Sequence, residues 1–266
     1  MNVLEKSQLF LGLWSGEKAF VGPPYIHLDV TRRCNLHCPG CKFHASDLRG
    51  VGHPGDGPVA DISLELVRQV AGEARQLSIR EVILAGGGEP LLHPGLPEIV
   101  AILREAGCIV RIYTNGTALL PDGVDRILDS GVDELAVSLW ASSAEEYSAC
   151  YPDHPPLFEK VTAGIRALVQ ARDARAGARP RVSLGGPVTR GNCRNLPGRV
   201  GLAHRLGVEA VEYTAYRQTS PDQIRHLLTA AELGSVATEL EEIRNLADRL
   251  GISHNTGDFY RLLRRG

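Results

Sequence analysis

The 266-residue chain has no long hydrophobic run. Its apolar stretches, such as Ile99 to Leu103, fall far short of the roughly 18 apolar residues that a membrane-spanning helix requires, so no membrane role is expected. Charge of one sign is not in excess either. The 29 basic and 31 acidic residues leave a formal net charge of −2, and no global field draws nucleic acid or anionic lipid. Lysine is scarce, occurring only at positions 6, 18, 42 and 160. The start of the chain does not read as a signal peptide, because Glu5 and Lys6 interrupt it. Cysteine, at six residues, is too sparse for a disulfide scaffold. What is present, 43% hydrophobic and 23% charged residues, is an ordinary globular composition with enough length for a sizeable core, in one large domain or two small ones.

The cysteines are unevenly placed. Cys34, Cys38 and Cys41 lie close together, whereas Cys108, Cys150 and Cys193 are isolated. Clustered thiols without an export signal point to metal ligation in a reducing compartment, hence to a cytoplasmic protein. Pro23-Pro24 forbids helix and introduces the alternating run Tyr25 to Val30, a first strand. The cysteine cluster follows at once, and the Gly-, Pro- and Asp-rich stretch from Ser46 to Asp61 reads as loop. Ser63 is an N-cap for a helix from Leu64 to about Leu77. The strand Glu81 to Ala85 then runs straight into Gly86-Gly87-Gly88-Glu89-Pro90.

From there strands at Cys108–Tyr113, Glu134–Leu139, Arg181–Val188 and Val208–Tyr213 alternate with helices near Leu96–Ala106, Gly123–Asp129, Pro156–Ala174 and Leu196–Leu206. Six strands alternating with helices predict parallel pairing with right-handed crossovers, in an open doubly wound sheet or a full or partial barrel. Beyond Pro221 come a mostly helical segment to Leu250, a short Ile252-Ser253-His254 piece and a charged end.

Cys34, Cys38 and Cys41 form a C-x3-C-x2-C pattern directly after the first strand. Thiolates at such spacing suit a structural zinc site, with His44 as fourth ligand, or an iron–sulfur cluster held from one loop. Three ligands for four irons would leave one iron open to a substrate or cofactor. Gly86 to Pro90 ends the second strand, and in a parallel α/β fold it opens on the same C-terminal edge as the cysteine loop. Two chemical signals therefore converge on one mouth.

These motifs resemble the radical S-adenosylmethionine (radical SAM) superfamily, and in particular its maturase group. Cys34, Cys38 and Cys41 match its cluster loop, and Gly87-Gly88-Glu89-Pro90 matches its GGEP motif. Thr114-Asn115-Gly116-Thr117 resembles its TNG segment, Ser138 lies where polar residues approach ribose or methionine, and Asn192 and Leu196 suit a pattern after the fifth strand. The resemblance implies an α/β partial (β/α)6 TIM-like barrel of parallel strands at 25–216, after an N-terminal segment at 1–24 and before a mostly helical tail at 217–266. It implies a [4Fe–4S] cluster on the three cysteines, with SAM chelating the fourth iron. Its activity would be reductive cleavage of SAM to a 5′-deoxyadenosyl radical that abstracts hydrogen from a small metabolite or a peptide. An electron donor such as flavodoxin or ferredoxin would be a partner. Gly86, Gly87, Gly88, Glu89 and Pro90 would receive the methionine ammonium, the glycines by close backbone approach and Glu89 by charge. Asn115 and Ser138 would also face the cofactor. The position before the third cysteine, often aromatic in the superfamily, is Gly40; its contact would be through backbone, with Phe43 as an apolar wall.

Other readings stay open. A zinc-stabilised binding module and polar methyl transfer from SAM both fit the cysteine loop alone. Asn115-Gly116 also suits a plain turn, and Ser138 an ordinary strand-end hydroxyl. Tyr213 and Tyr216 could face the cofactor or pack in the core. Cys150 and Cys193 could return a hydrogen atom to a substrate radical, or be buried and inert. His37, His44, His93 and His154 read as solvated loop residues, as do the charges Glu239, Glu241, Glu242, Arg244 and Arg249 on a helix face. No cysteine follows Cys193, where many maturases carry an auxiliary-cluster extension; a single-cluster enzyme and a shortened chain both fit.

Overall fold

The computed structural model describes residues 3–17, 20–41, 43, 61–152, 156–175, 179–218 and 221–263. Seven strands, β1 (Tyr25–Leu28), β2 (Glu81–Leu84), β3 (Ile109–Thr114), β4 (Glu134–Ser138), β5 (Arg181–Val188), β6 (Ala210–Ala215) and β7 (Ser253–His254), form one sheet in sequence order. Every pairing is parallel. The helices are α1 (Val3–Ser15), α2 (Leu64–Gln76), α3 (Leu96–Glu105), α4 (Pro121–Ser130), α5 (Ala144–Cys150), α6 (Phe158–Ala174), α7 (Leu196–Leu206), α8 (Ala230–Leu250) and α9 (Thr256–Leu263). Among the described residues, no helix is long and apolar enough to cross a membrane.

Strand alternation divides the sheet into two faces. On β4, Leu135 and Val137 are fully buried in the core beneath the helices, and Val110 and Ile112 of β3 join them. The intervening residues line the other face. There Arg111 of β3 ion-pairs with Glu134 of β4, and its guanidinium also stands 3.5 Å from Glu81 of β2 and 3.6 Å from Glu212 of β6. Strands lie about 4.8 Å apart, so β3 and β6 would be about 14 Å apart in a flat sheet. An arginine that reaches both sides shows the sheet curled around its polar face, as a partial barrel. Charged residues occupy the interior in place of the branched apolar layers of a closed barrel.

Six strands were expected, and the structure adds a seventh. Ser253–His254 pairs with Ala210–Val211, so the segment after α8 joins the sheet. A two-residue strand has no periodicity for a sequence to display. The fifth strand is continuous through Gly185 and Gly186. Two helices were also not foreseen. α5 begins at Ser143, whose side chain accepts from the backbone N–H of Glu146, a Ser-x-x-Glu signal that was available in the sequence. α1 is apolar without a clear buried face, and Phe10 and Trp14 are 76% and 87% exposed.

Replacing Leu135 by Ala removes a fully buried side chain from the central strand and lowers unfolding free energy by about 2–5 kcal/mol. Ile109→Ala, at a position 50% exposed, stays within about 1 kcal/mol of wild type; urea denaturation checks both.

Candidate active site

The C-terminal ends of β1, β2 and β3 are laced together. After β1, Thr31 bridges to Asp61, its hydroxyl donating to the carboxylate at 2.7 Å, and Arg33 ion-pairs with the same carboxylate. The cysteine loop then passes directly over the glycines that follow β2. A Cβ on Gly88 would lie 2.3 Å from the Arg33 carbonyl oxygen and 2.7 Å from that of Thr31; one on Gly86 would collide with the Asp29 carboxylate at 1.6 Å. Glycine is needed here first for protein–protein approach. The Glu89 N–H donates to the Arg33 carbonyl at 2.7 Å, fixing the crossing.

Glu89 is 3% exposed and binds inward. One carboxylate oxygen accepts from Thr114 Oγ1 at 2.7 Å and Leu91 N at 3.0 Å, the other from Asn115 N at 2.6 Å. Burial raises its carboxyl above the ordinary range, opposed by these three hydrogen bonds. No cation pairs with it among the described residues. Asn115 in turn donates to Asn35 Oδ1 at 2.9 Å, and Asn35 donates to Thr117 Oγ1 at 2.8 Å. Asn35 carries no site signal in the sequence, because its partners lie about eighty residues away, whereas Thr114 and Thr117 belong to the TNG-like segment and gain their individual roles only from these contacts. Asn115 is thus both a turn residue and a brace on the cysteine loop.

Cys34, Cys38 and Cys41 are half-buried, and the Cys41 N–H donates to the Cys38 carbonyl at 3.1 Å. Burial pushes the Cys34 thiol up to about 11, reinforced by Glu89 and Cys41. Cys38 is pushed well above the ordinary thiol range by burial and then by repulsion from Cys34, Cys41 and Glu89. Cys34, Cys38 and the Glu89 carboxyl thus share one poorly solvated region, and no cation among the described residues offsets the burial that shifts them. This donor set fits a cationic iron–sulfur core, which would stabilise the thiolates, and an ammonium group beside it. Among the described residues, no three His, Cys, Asp or Glu side chains are grouped to hold a single metal ion, and His44 lies outside them.

The remaining candidates separate. Ser138 ends β4, its carbonyl accepting from the Tyr151 hydroxyl at 3.2 Å. Gly40, at φ +75°, lies so close to Tyr216 that a Cβ would stand 2.6 Å from the ring. Phe43 is half-buried just after the loop. Tyr213 belongs to the core, 1% exposed, its hydroxyl donating to the Leu196 carbonyl at 2.8 Å. Cys150 and Cys193 are buried, and burial raises both thiols. His93 corrects the expectation of a solvated loop: it is 4% exposed, and its Nδ1 accepts from Gly95 N at 3.1 Å, because the short turn after Pro90 folds it under α3. Glu239 also departs from a purely solvated face, accepting from Leu196 N at 3.3 Å at the start of α7. His37 sits half-buried in the cysteine loop; His154 lies outside the described residues.

Residues 28–189, from the end of β1 to just past β5, match the model of the radical SAM superfamily. The chain belongs to the radical SAM superfamily. As a radical SAM protein it is an enzyme whose cofactors are a [4Fe–4S] cluster and SAM. It is 26% identical over 224 residues to the tungsten-containing aldehyde ferredoxin oxidoreductase cofactor-modifying protein of Pyrococcus furiosus, covering 82% of this chain and 59% of that protein. It is 27% identical over 251 residues to the PqqA peptide cyclase of Xanthomonas campestris pv. campestris, covering 90% and 61%. The chain therefore spans about six-tenths of the length of these curated relatives. Among solved structures, Streptococcus suis SuiB bound to S-adenosylmethionine superposes with a TM-score of 0.71 at 11% identity, over 94% of this chain and 53% of SuiB; SuiB has also been solved with its precursor peptide SuiA. At that identity the likeness establishes the partial-barrel fold. Family membership replaces the non-catalytic zinc module as an account of the chain.

Gly88→Ala is expected to cost about 1–3 kcal/mol in urea denaturation and to reduce the iron retained after reconstitution, since the new Cβ would displace the cysteine loop. Gly72→Ala, on α2 with nothing within 4 Å of the added carbon, is expected to be neutral or slightly stabilising and to leave iron content unchanged.

Proposed function

We propose that Cys34, Cys38 and Cys41 hold the [4Fe–4S] cluster and that the mouth formed with Gly86–Pro90 holds SAM, the enzyme acting on a peptide. The observation that carries this reading is the crossing of the cysteine loop over Gly86–Gly88, which brings the three cysteines and the Glu89 carboxyl to one poorly solvated region where burial disfavours the anions of Cys34, Cys38 and Glu89. When bound, the cluster and SAM supply reductive cleavage of the sulfonium C–S bond and, through it, hydrogen abstraction from an unactivated C–H bond.

The chain's own residues orient and enclose. Glu89 supplies negative charge for the methionine ammonium while its hydrogen bonds hold the turn at Thr114–Thr117 in place. Asn35 and Asn115 fix the cysteine loop against that turn, and Ser138 adds a polar group from β4. Gly40 offers backbone and Phe43 an apolar wall. The peptide assignment is supported by the peptide-acting relatives; a small metabolite is the second substrate class. A flavodoxin or ferredoxin would deliver the electron.

Anaerobic reconstitution is expected to yield about four irons and four sulfides per chain, with 5′-deoxyadenosine formed from SAM on reduction. Ala at Cys34, Cys38 or Cys41 abolishes both; Ala at Cys108, buried at the far end of β3, preserves both. A colourless protein, or S-adenosylhomocysteine as the product, would refute the assignment, the latter in favour of polar methyl transfer.

A further inference from the structure

Trp140, two residues past β4, is held by an unusual set of buried polar groups. Its carbonyl accepts from Asn192 Nδ2 at 2.7 Å and Arg199 Nη2 at 3.0 Å, with the Cys150 thiol at 3.8 Å. Asn192 and Arg199 are 3% and 2% exposed. Arg199 has no carboxylate partner among the described residues. It also donates to the carbonyls of Gly186 at 3.3 Å and Glu212 at 3.5 Å, and lies over the Tyr213 ring at 4.9 Å. Asn192 also donates to the Pro187 carbonyl at 3.0 Å and accepts from Thr189 N at 2.8 Å. A buried guanidinium is costly unless fully hydrogen-bonded, and this one joins the ends of β4, β5 and β6 around one backbone position.

That position presents an indole. Its pyrrole edge rests on Gly186, where a Cβ would come within 2.3 Å of Cδ1, so only glycine admits it. Tyr151 packs beside it at 5.1 Å and stacks on Tyr147 at 4.5 Å. Trp140 follows Ser138 at the C-terminal end of β4, the sheet edge that also carries the cysteine loop after β1, and Trp140 and Cys38 both pack against the buried core that contains Tyr147 and Tyr151. Trp140 remains half-buried, and its N–H has no acceptor among the described residues.

We propose that Trp140 is a wall of the nucleoside pocket, its indole face stacking on the adenine of SAM. The methionine end of SAM is zwitterionic and suits the charge of Glu89; the planar adenine suits the exposed face of an indole. This assignment rests on the proposed SAM site.

The test is equilibrium dialysis of the reconstituted holoenzyme against SAM, 5′-deoxyadenosine and methionine. Trp140→Ala is expected to weaken SAM and 5′-deoxyadenosine by about tenfold or more and to leave methionine unchanged, and Trp140→Phe to recover most of the loss. Trp14, exposed on α1, is the other tryptophan, so Trp14→Phe leaves Trp140 as the sole indole. Its emission is expected to change on saturation with 5′-deoxyadenosine, which reads the contact without altering residue 140. Wild-type affinity for 5′-deoxyadenosine in Trp140→Ala, or unchanged emission in Trp14→Phe at saturation, would overturn the proposal alone. A wild-type holoenzyme that binds neither SAM nor 5′-deoxyadenosine would overturn the SAM site and this proposal together.

Discussion

The site depends on how closely two pieces of backbone cross. Gly86–Gly88 passes beneath the cysteine loop with no space for side chains, against the Thr31 and Arg33 carbonyls and the Asp29 carboxylate. From this crossing Glu89 gains its position, with its N–H bound to the loop and its carboxylate bound to the turn after β3. Three strand ends become one rigid unit. A ligand held there meets groups that are already oriented, so little ordering cost falls on binding.

Electrostatics divide the barrel into two regions. Inside, Arg111 neutralises carboxylates from β2, β4 and β6 and draws their strands together. At the mouth no cation ion-pairs with Glu89 among the described residues, and burial drives Glu89, Cys34 and Cys38 away from their charged forms. A region that disfavours its own anions favours an incoming cation, which is the property shared by an iron–sulfur core and a sulfonium-bearing amino acid. The structure thus gathers its buried acidic groups at the edge where parallel α/β folds bind ligands.

Much of this was legible in sequence because it is local. Alternating apolar runs located the first six strands, and the C-x3-C-x2-C spacing and the glycines after β2 lie within short segments at strand ends. What escaped was short or non-local. β7 has two residues, too few for a pattern, and α1 is apolar without a buried face. Asn35 meets Asn115 and Thr117 across some eighty residues, and Arg199 reaches Trp140 across 59. Nothing local marks such pairs; they exist only once the sheet has curled. Gly40 shows the same limit, since the ring beside it belongs to Tyr216, after the sixth strand.

Diffraction at the iron absorption edge from crystals of the anaerobically reconstituted protein with SAM tests the central claim most directly. The account predicts iron anomalous density bounded by Cys34, Cys38 and Cys41, with SAM electron density continuing from it toward Gly86–Glu89. Iron density elsewhere, a lone zinc signal in the cysteine loop, or SAM away from the Gly86–Glu89 turn would contradict it.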